Sequence, residues 1–347
     1  MIREAIAKLT EFKDLSSEEA YHSLKEIVSH QANESQISAF LTALKMKGES
    51  AEEIVGLAKA MLESCIRIKP QVNLLVDTCG TGGDSLKTIN VSTISAFIVS
   101  ASGISVAKHG NRAFTSKCGS ADVLEALGYN LNLEPDKVKE MIEKIGFGFL
   151  FAPKFHIAMK EVSKVRRDLG FRTIFNIVGP LTNPSNPPFQ LIGVFEPSLI
   201  CKLAKSLKSL GKRGLVVHGN GMDEISVTSE TSLALIEEDI KFFTLKPKDF
   251  GIENCKEEEL LVKDAKDSIL SLFNILYGLD RSAKLKLCLA NSAALIYWCS
   301  KADSLIEAIE IAEESVKSGK AYKILKDCVK FSDGNLSILE ELERKYG

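Results

Sequence analysis

Leu74-Leu75-Val76-Asp77-Thr78-Cys79-Gly80-Thr81-Gly82-Gly83-Asp84 is the stretch on which the fold turns. It begins as a short apolar strand and ends in a glycine-rich loop. Residues 90–102 then have helical spacing and stop at Gly103, and a second apolar strand over 104–107 follows directly. Strand, helix, strand at this spacing predicts a βαβ unit and therefore a parallel sheet. The alternation recurs downstream: helix 121–127, strand 147–151, helix 157–169, strand 191–195, helix 198–210 and strand 215–218. Two polar-edged strands, 233–237 and 241–245, would extend the sheet antiparallel, and from residue 265 onward the chain reads as mostly helical. Four prolines between 179 and 188 argue against helix there.

Upstream of residue 70 the pattern is purely helical. Ser16-Ser17-Glu18-Glu19, Asn33 with Gln36, and Ser50 with Glu53 each have the form in which two side chains satisfy orphan amides at a helix start. Three amphipathic helices with short joints follow from them. The fold class is thus α/β: a small all-α domain plus a large α/β domain with a mostly parallel central sheet flanked by helices. A chain of 347 residues is long enough for both.

The formal net charge is -2. Such a balance offers no general attraction to nucleic acid or an anionic membrane, so any phosphate must be held by a local site. Eight cysteines without a CxxC pair give neither a zinc spacing nor a disulfide framework. No apolar run suits a membrane span, and the N-terminal stretch with Arg3, Glu4 and Lys8 is unlike a signal peptide. A cytoplasmic location is expected.

The chemistry should sit in the polar loops that follow strands. Gly80-Thr81-Gly82-Gly83 lets the backbone turn sharply and bring amides to an anion, although it matches neither the Walker pattern nor GxGxxG. Taken alone, such a loop is as often a plain turn. Thr88-Ile89-Asn90-Val91-Ser92-Thr93 then places polar groups at a helix N-terminus, which suits pyrophosphate; simple capping by Asn90 or Ser92 is the blander account. After the second strand, Lys108-His109-Gly110-Asn111-Arg112 leads to Thr115-Ser116-Lys117-Cys118-Gly119-Ser120-Ala121-Asp122. Lys108 and Lys117 could neutralise phosphate, and Ser116 and Ser120 could donate to it.

These runs, together with Arg172-Thr173-Ile174-Phe175-Asn176-Ile177-Val178-Gly179-Pro180-Leu181-Thr182-Asn183-Pro184, closely resemble the anthranilate phosphoribosyltransferases. The resemblance extends from the opening helices to at least Asp249-Phe250-Gly251-Ile252. One departure is Phe114-Thr115, where small residues and serine are usual. By that resemblance Gly80, Gly83, Asp84, Thr88, Asn90, Val91, Ser92, Thr93, Lys108, Ser116 and Ser120 would hold phosphoribosyl pyrophosphate (PRPP), with Lys108 stabilising the leaving group. Gly80, Asn111 and Arg166 would bind anthranilate, lined by His109, His156 and Gly179. Ser92, Asp223 and Glu224 would hold Mg²⁺, two ions with PRPP. The resemblance also implies a homodimer formed through the helical domain, with residues 1–72 and a segment near 165–180 in the small domain and 73–164 with 181–347 in the large one.

Residue chemistry supports this independently. The Arg166 guanidinium can grip a carboxylate with two parallel hydrogen bonds, whereas Arg167 reads as solvated. One or two carboxylates plus substrate phosphates is a usual way to hold Mg²⁺. His218, like His156, could equally be structural, and only His156 is read as part of the site. An aromatic amine is uncharged at neutral pH, so no general base is assigned. Two other readings remain at this point. A pyrimidine nucleoside phosphorylase would show Gly-His-Thr-Gly-Gly in place of Cys118-Gly119-Ser120-Ala121-Asp122. A nucleic-acid-binding relative would carry a basic surface and lack Arg166 and Asn111.

Overall fold

Ile2, Ala5 and Leu9 lie on one face of the first helix and are all buried. The computed structural model describes the whole chain except Asp84, Ser85, Lys87, residues 114–117 and the Glu161 side chain. The N-terminal bundle holds α1 (Ile2–Thr10), α2 (Ser17–Val28), α3 (Glu34–Lys47) and α4 (Ala51–Ser64). It therefore has one helix more than the expected three. The reciprocal caps at Ser16/Glu19, Asn33/Gln36 and Ser50/Glu53 are all formed.

The α/β part follows as β1 (Leu75–Gly80), α5 (Val91–Ala101), β2 (Ser105–Gly110), α6 (Ser120–Ala126), α7 (Pro135–Ile145), β3 (Phe147–Phe151) and α8 (Ala152–Phe155). Next come α9 (Lys160–Leu169), α10 (Ile174–Val178), β4 (Phe189–Gly193), α11 (Ser198–Ser209), β5 (Arg213–His218), β6 (Thr231–Ile236) and β7 (Ile240–Leu245). The chain ends in α12 (Ala265–Tyr277), α13 (Ala283–Trp298), α14 (Leu305–Lys317), α15 (Lys320–Phe331) and α16 (Leu336–Tyr346). α7 is also additional to the expected elements; Pro135 starts it and Gly146 ends it in a left-handed conformation. The proline-rich stretch needs a correction, because Gly179–Thr182 is a turn of 3-10 helix. Pro180 sits in its first turn, where a missing amide costs nothing.

Among the described residues the sheet has seven strands in the order β3-β2-β1-β4-β5-β6-β7. The five from β3 to β5 are parallel, and β6 and β7 extend the sheet antiparallel, as expected. From β1 the chain winds outward to β2 and β3, then returns to place β4 on the other side of β1. That reversal makes β1/β4 the topological switch point, where a crevice opens beyond the strands' carboxyl ends.

Two cores result. One packs α5 and the C-terminal helices on a face of the sheet, through Phe97, Phe147, Phe273, Leu295 and Leu325. The other runs unbroken from the bundle (Phe40, Leu41, Leu57) through Val162, Val165 and Phe175 to Ile192, Leu203 and Val216. α9 and α10 thus share apolar packing with the helical bundle, although they lie far from it in sequence.

Candidate active site

Gly80 and Gly193 are register partners at the ends of β1 and β4. Asp223 fills the space above them: a Cβ on Gly80 would collide with its carboxylate, and one on Gly193 with its backbone oxygen. The approach of Asp223 is set by the turn after β5. His218 at the strand's end bonds Val194 O through Nδ1 at 2.7 Å, and its Nε2 accepts from the Gly221 amide at 3.2 Å. This histidine is structural. Downstream, Asn291 on α13 accepts from the Ile225 amide at 2.9 Å and donates to its carbonyl at 3.0 Å, clamping the carboxylate pair from behind.

Asp223 and Glu224 are only 8% and 7% exposed, not the solvated acidic turn that sequence alone would favour. Burial raises the Asp223 carboxyl above its ordinary pKa, against the Gly82 amide and the Arg172 charge, which act the other way. The Gly82 amide donates to Asp223 Oδ2 at 2.8 Å, so a carboxylate on one loop fixes the glycine-rich loop on another. Gly82 and Gly83 have φ of +68° and +83°, a region closed to most side chains.

α5 starts beside this loop. Asn90 does not cap it: Nδ2 donates to Cys118 O at 3.1 Å and Oδ1 accepts from Ser268 on α12 at 2.8 Å. It therefore bolts the loop after β2 to two helices. The side chains of Val91 and Thr93 are buried at 1% exposure each, so only their backbone can face a ligand. Lys108 is also 1% exposed, and its ammonium donates to Thr78 O at 2.8 Å and Ser92 Oγ at 3.1 Å. Burial lowers its pKa, with Asp77 the chief opposing charge. That placement is not the solvated basic loop that was the blander account of this segment. Lys108 lies under the loop and reaches the site through Ser92.

In the second loop Asn111 is exposed, and its carbonyl accepts from Ala121 N at 3.2 Å and Ser120 Oγ at 3.3 Å. Arg112 locks this loop by pairing with Glu125 and Asp122. Asp84, Ser116, Lys117 and the Phe114-Thr115 departure lie outside the described residues.

The third group comes from the arm between α8 and β4. The rings of His109 and His156 are 5.1 Å apart. Burial, and then His156, push His109 well below its usual pKa, opposed by a backbone bond at Gly179. His156 is pushed down to about 4 by burial, opposed by a bond at Thr182. Both rings are neutral at physiological pH and touch the turn that begins at Gly179. Arg166, half-buried on α9, donates to Asn176 Oδ1 at 3.3 Å and lies 5.7 Å from the Phe175 ring centroid. Burial lowers its pKa to about 10, so it stays charged. Arg167 is exposed.

Sequence reasoning gave no role to several groups. Asp77, fully buried, accepts from Asn183 Nδ2 at 2.9 Å and from the His109 amide at 3.3 Å. Lys212 supports the same network through Gln190 Oε1 at 3.0 Å. Arg172 donates to Gly83 O at 2.5 Å. An aspartate inside an apolar strand was a usable signal, and Arg172 opened a run quoted for the resemblance without being given a role; nothing local marked Lys212 or Asn291.

The α/β domain of the glycosyl transferase family matches residues 72–322, and that family's helical bundle domain matches residues 3–65. The chain is therefore a glycosyl transferase of this two-part build. The anthranilate phosphoribosyltransferase of Persephonella marina is 45% identical over 338 residues, 96% of this chain and 100% of that protein. The crystal structure of the Thermus thermophilus enzyme of the same name superposes with a TM-score of 0.89 at 37% identity, covering 95% of this chain and 99% of that one. The Saccharomyces cerevisiae enzyme, in complex with PRPP and Mg, gives 0.88 at 30% identity over 96% and 98%. This chain belongs to the anthranilate phosphoribosyltransferase family.

Proposed function

We propose that the chain transfers the phosphoribosyl group of PRPP to the amine of anthranilate, giving N-(5-phosphoribosyl)anthranilate and pyrophosphate, in tryptophan biosynthesis. The observation that carries this is the bond from the Gly82 amide to Asp223. It joins a carboxylate pair and an anion-binding loop at one switch point, beside an arm bearing Arg166.

The C1–O bond to pyrophosphate breaks as the amine attacks, and positive charge develops on the ribose. Stabilising the departing pyrophosphate is the main task. Gly80, Gly83 and Asp84, the N-terminus of α5 from Thr88 through Asn90, Val91, Ser92 and Thr93, and Ser116 and Ser120 hold PRPP in this reading. Lys108 belongs to the same PRPP-binding set and stabilises the departing pyrophosphate in this reading, its bond to Ser92 Oγ linking it to the site. Gly80, Asn111 and Arg166 position anthranilate, whose carboxylate the guanidinium holds, and the neutral His109–His156 pair with Gly179 shapes the apolar side. Presenting both substrates together lowers the entropic part of the barrier.

Asp223 and Glu224, with Ser92, would hold Mg²⁺. Their fit is chemical: two adjacent carboxylates, both buried, with the Asp223 carboxyl raised by burial. Mg²⁺ is usually held by one or two carboxylates with substrate phosphates, and in this reading PRPP oxygens would complete the coordination. Two ions with PRPP suit two carboxylates. Bound Mg²⁺ would neutralise pyrophosphate charge.

The smaller domain, in this reading, is residues 1–72 with a returning segment near 165–180, and the larger is 73–164 with 181–347; the shared core of α9, α10 and the bundle supports it. A homodimer through the bundle suits its exposed Phe12 and Met46. A cytoplasmic setting suits eight free thiols. Among the described residues no helix is long and apolar enough to cross a membrane. Loss of anthranilate fluorescence is the test. Consumption should need both PRPP and a divalent ion, and no consumption with both saturating rejects the reading.

A further inference from the structure

Consecutive glycines at the phosphate loop are held by partners from two different segments of the chain. The Gly82 amide is taken by Asp223, at 2.8 Å, from the turn after β5. The Gly83 carbonyl accepts from Arg172 Nη2 at 2.5 Å, from the connection between α9 and α10. Both glycines have positive φ and would sample many conformations unaided, so two fixed partners select one.

Arg172 is itself held. Its guanidinium carbon lies 4.6 Å from the centroid of Phe195, just after β4. The Phe195 amide donates to Thr81 Oγ1 at 3.1 Å, which ties that ring to the same loop. The fit at Gly83 is close, since a Cβ there would collide with the guanidinium. Arg172 also belongs to the acceptor arm: Asn176 Oδ1 accepts from the Thr173 amide at 3.1 Å and from Arg166 at 3.3 Å. One short segment therefore bonds to the phosphate loop at Arg172 and to the Arg166 guanidinium at Asn176.

We propose that Arg172 is a positioning residue that sets the phosphate loop in its PRPP-binding conformation and couples that loop to the Arg166 arm. The inference rests on the proposed activity. Its consequence is reciprocal, because ordering the loop with PRPP favours the arm that binds anthranilate, and the converse holds by linkage.

The test compares wild type with Arg172→Ala, Arg172→Gln and Arg172→Lys, and uses Arg167→Ala as the control. PRPP affinity with Mg²⁺ is read by calorimetry, and both KM values by steady-state kinetics. Losing a charge-assisted bond should weaken PRPP binding by roughly 10- to 100-fold in Arg172→Ala. Anthranilate KM at saturating PRPP should rise several-fold, because the help that bound PRPP gives the arm in wild type is lost, while thermal unfolding of the free enzyme should be nearly unchanged. Arg172→Lys should recover part of the affinity, since an ammonium reaches the carbonyl but stacks poorly on Phe195. Arg172→Gln should fall between Lys and Ala. PRPP affinity in Arg172→Ala within about twofold of an active wild type, less than the loss of any such bond, overturns this inference alone. So does an equal loss for both substrates with a lowered Tm. A wild-type chain that binds no PRPP overturns the proposed activity as well.

Discussion

The proposed phosphate side of the site and its proposed acceptor side are built on different supports. Gly80, Gly82, Ser92 and Asp223 stand at the ends of parallel strands and at a helix N-terminus, where the sheet order itself creates the crevice. Arg166, Asn176 and Gly179 hang from α9, α10 and a 3-10 turn that pack with the helical bundle. A sheet edge shared by five parallel strands moves little, whereas an arm packed on another body can move with that body. Substitutions on the sheet side should therefore abolish PRPP and metal binding together, and those on the arm, apart from Arg172, which bonds the phosphate loop, should act on anthranilate selectively.

The largest effect that would break this comparison is at the carboxylates. Asp223→Asn with Glu224→Gln should lower activity by roughly 1000-fold and raise the Mg²⁺ requirement sharply, since two charged ligands are lost and Gly82 loses its anionic partner. An unchanged Mg²⁺ titration would remove the metal assignment. Next comes Arg166→Ala, expected to cost about 10- to 150-fold in kcat/KM for anthranilate while calorimetric PRPP binding is nearly intact. Arg166→Lys should recover part of it and Arg167→Ala should be near wild type; equal losses at both arginines would misplace the acceptor site.

A smaller effect sharpens the sheet side. Gly80→Ala drives a methyl against the Asp223 carboxylate and should cost about 1–3 kcal/mol of stability, with weakened PRPP binding and unaltered Arg166 geometry. Full stability with normal PRPP affinity would contradict the close packing described. A further effect concerns pH on the arm. His156 titrates at about 4 in the fold against an ordinary 6.5. Between those values the unfolded chain binds a proton that the native state does not, so stability falls as pH drops through the window and is fully present above it. His156→Gln should flatten that slope by up to about 1.4 kcal/mol per pH unit, read by denaturant unfolding at about pH 7, 5.5 and 4.5. An unaltered slope would show that the imidazole is not held neutral.

How much of this was legible depended on distance along the chain. The strand over 147–151 and the 231–245 hairpin were readable because alternating apolar residues and turn signals lie within a few positions. The α1 and α7 helices carried apolar spacing and, at Pro135 and Gly146, end signals that could have found them. Arg166 was separable from Arg167 only through the resemblance, because both are arginines on one basic helix. Burial divides them: one faces the core beside Phe175 and the other faces water.

Local order was the sequence's own doing: the capped helices, the βαβ unit, the glycine loop, and the residue types able to bind phosphate, a carboxylate and a metal. Which of them meet was decided by tertiary structure. Gly82 and Asp223 are 141 residues apart, and Gly83 and Arg172 are 89 apart. Only the placement of β4 beside β1 and the packing of α9 with the bundle close those gaps. The same packing buried Asp223, Glu224 and Lys108, which a linear reading leaves solvated. Exposure and charge environment are properties of neighbours in space, and a chain fixes its distant neighbours only when the sum of many apolar contacts outweighs the entropy of bringing them together.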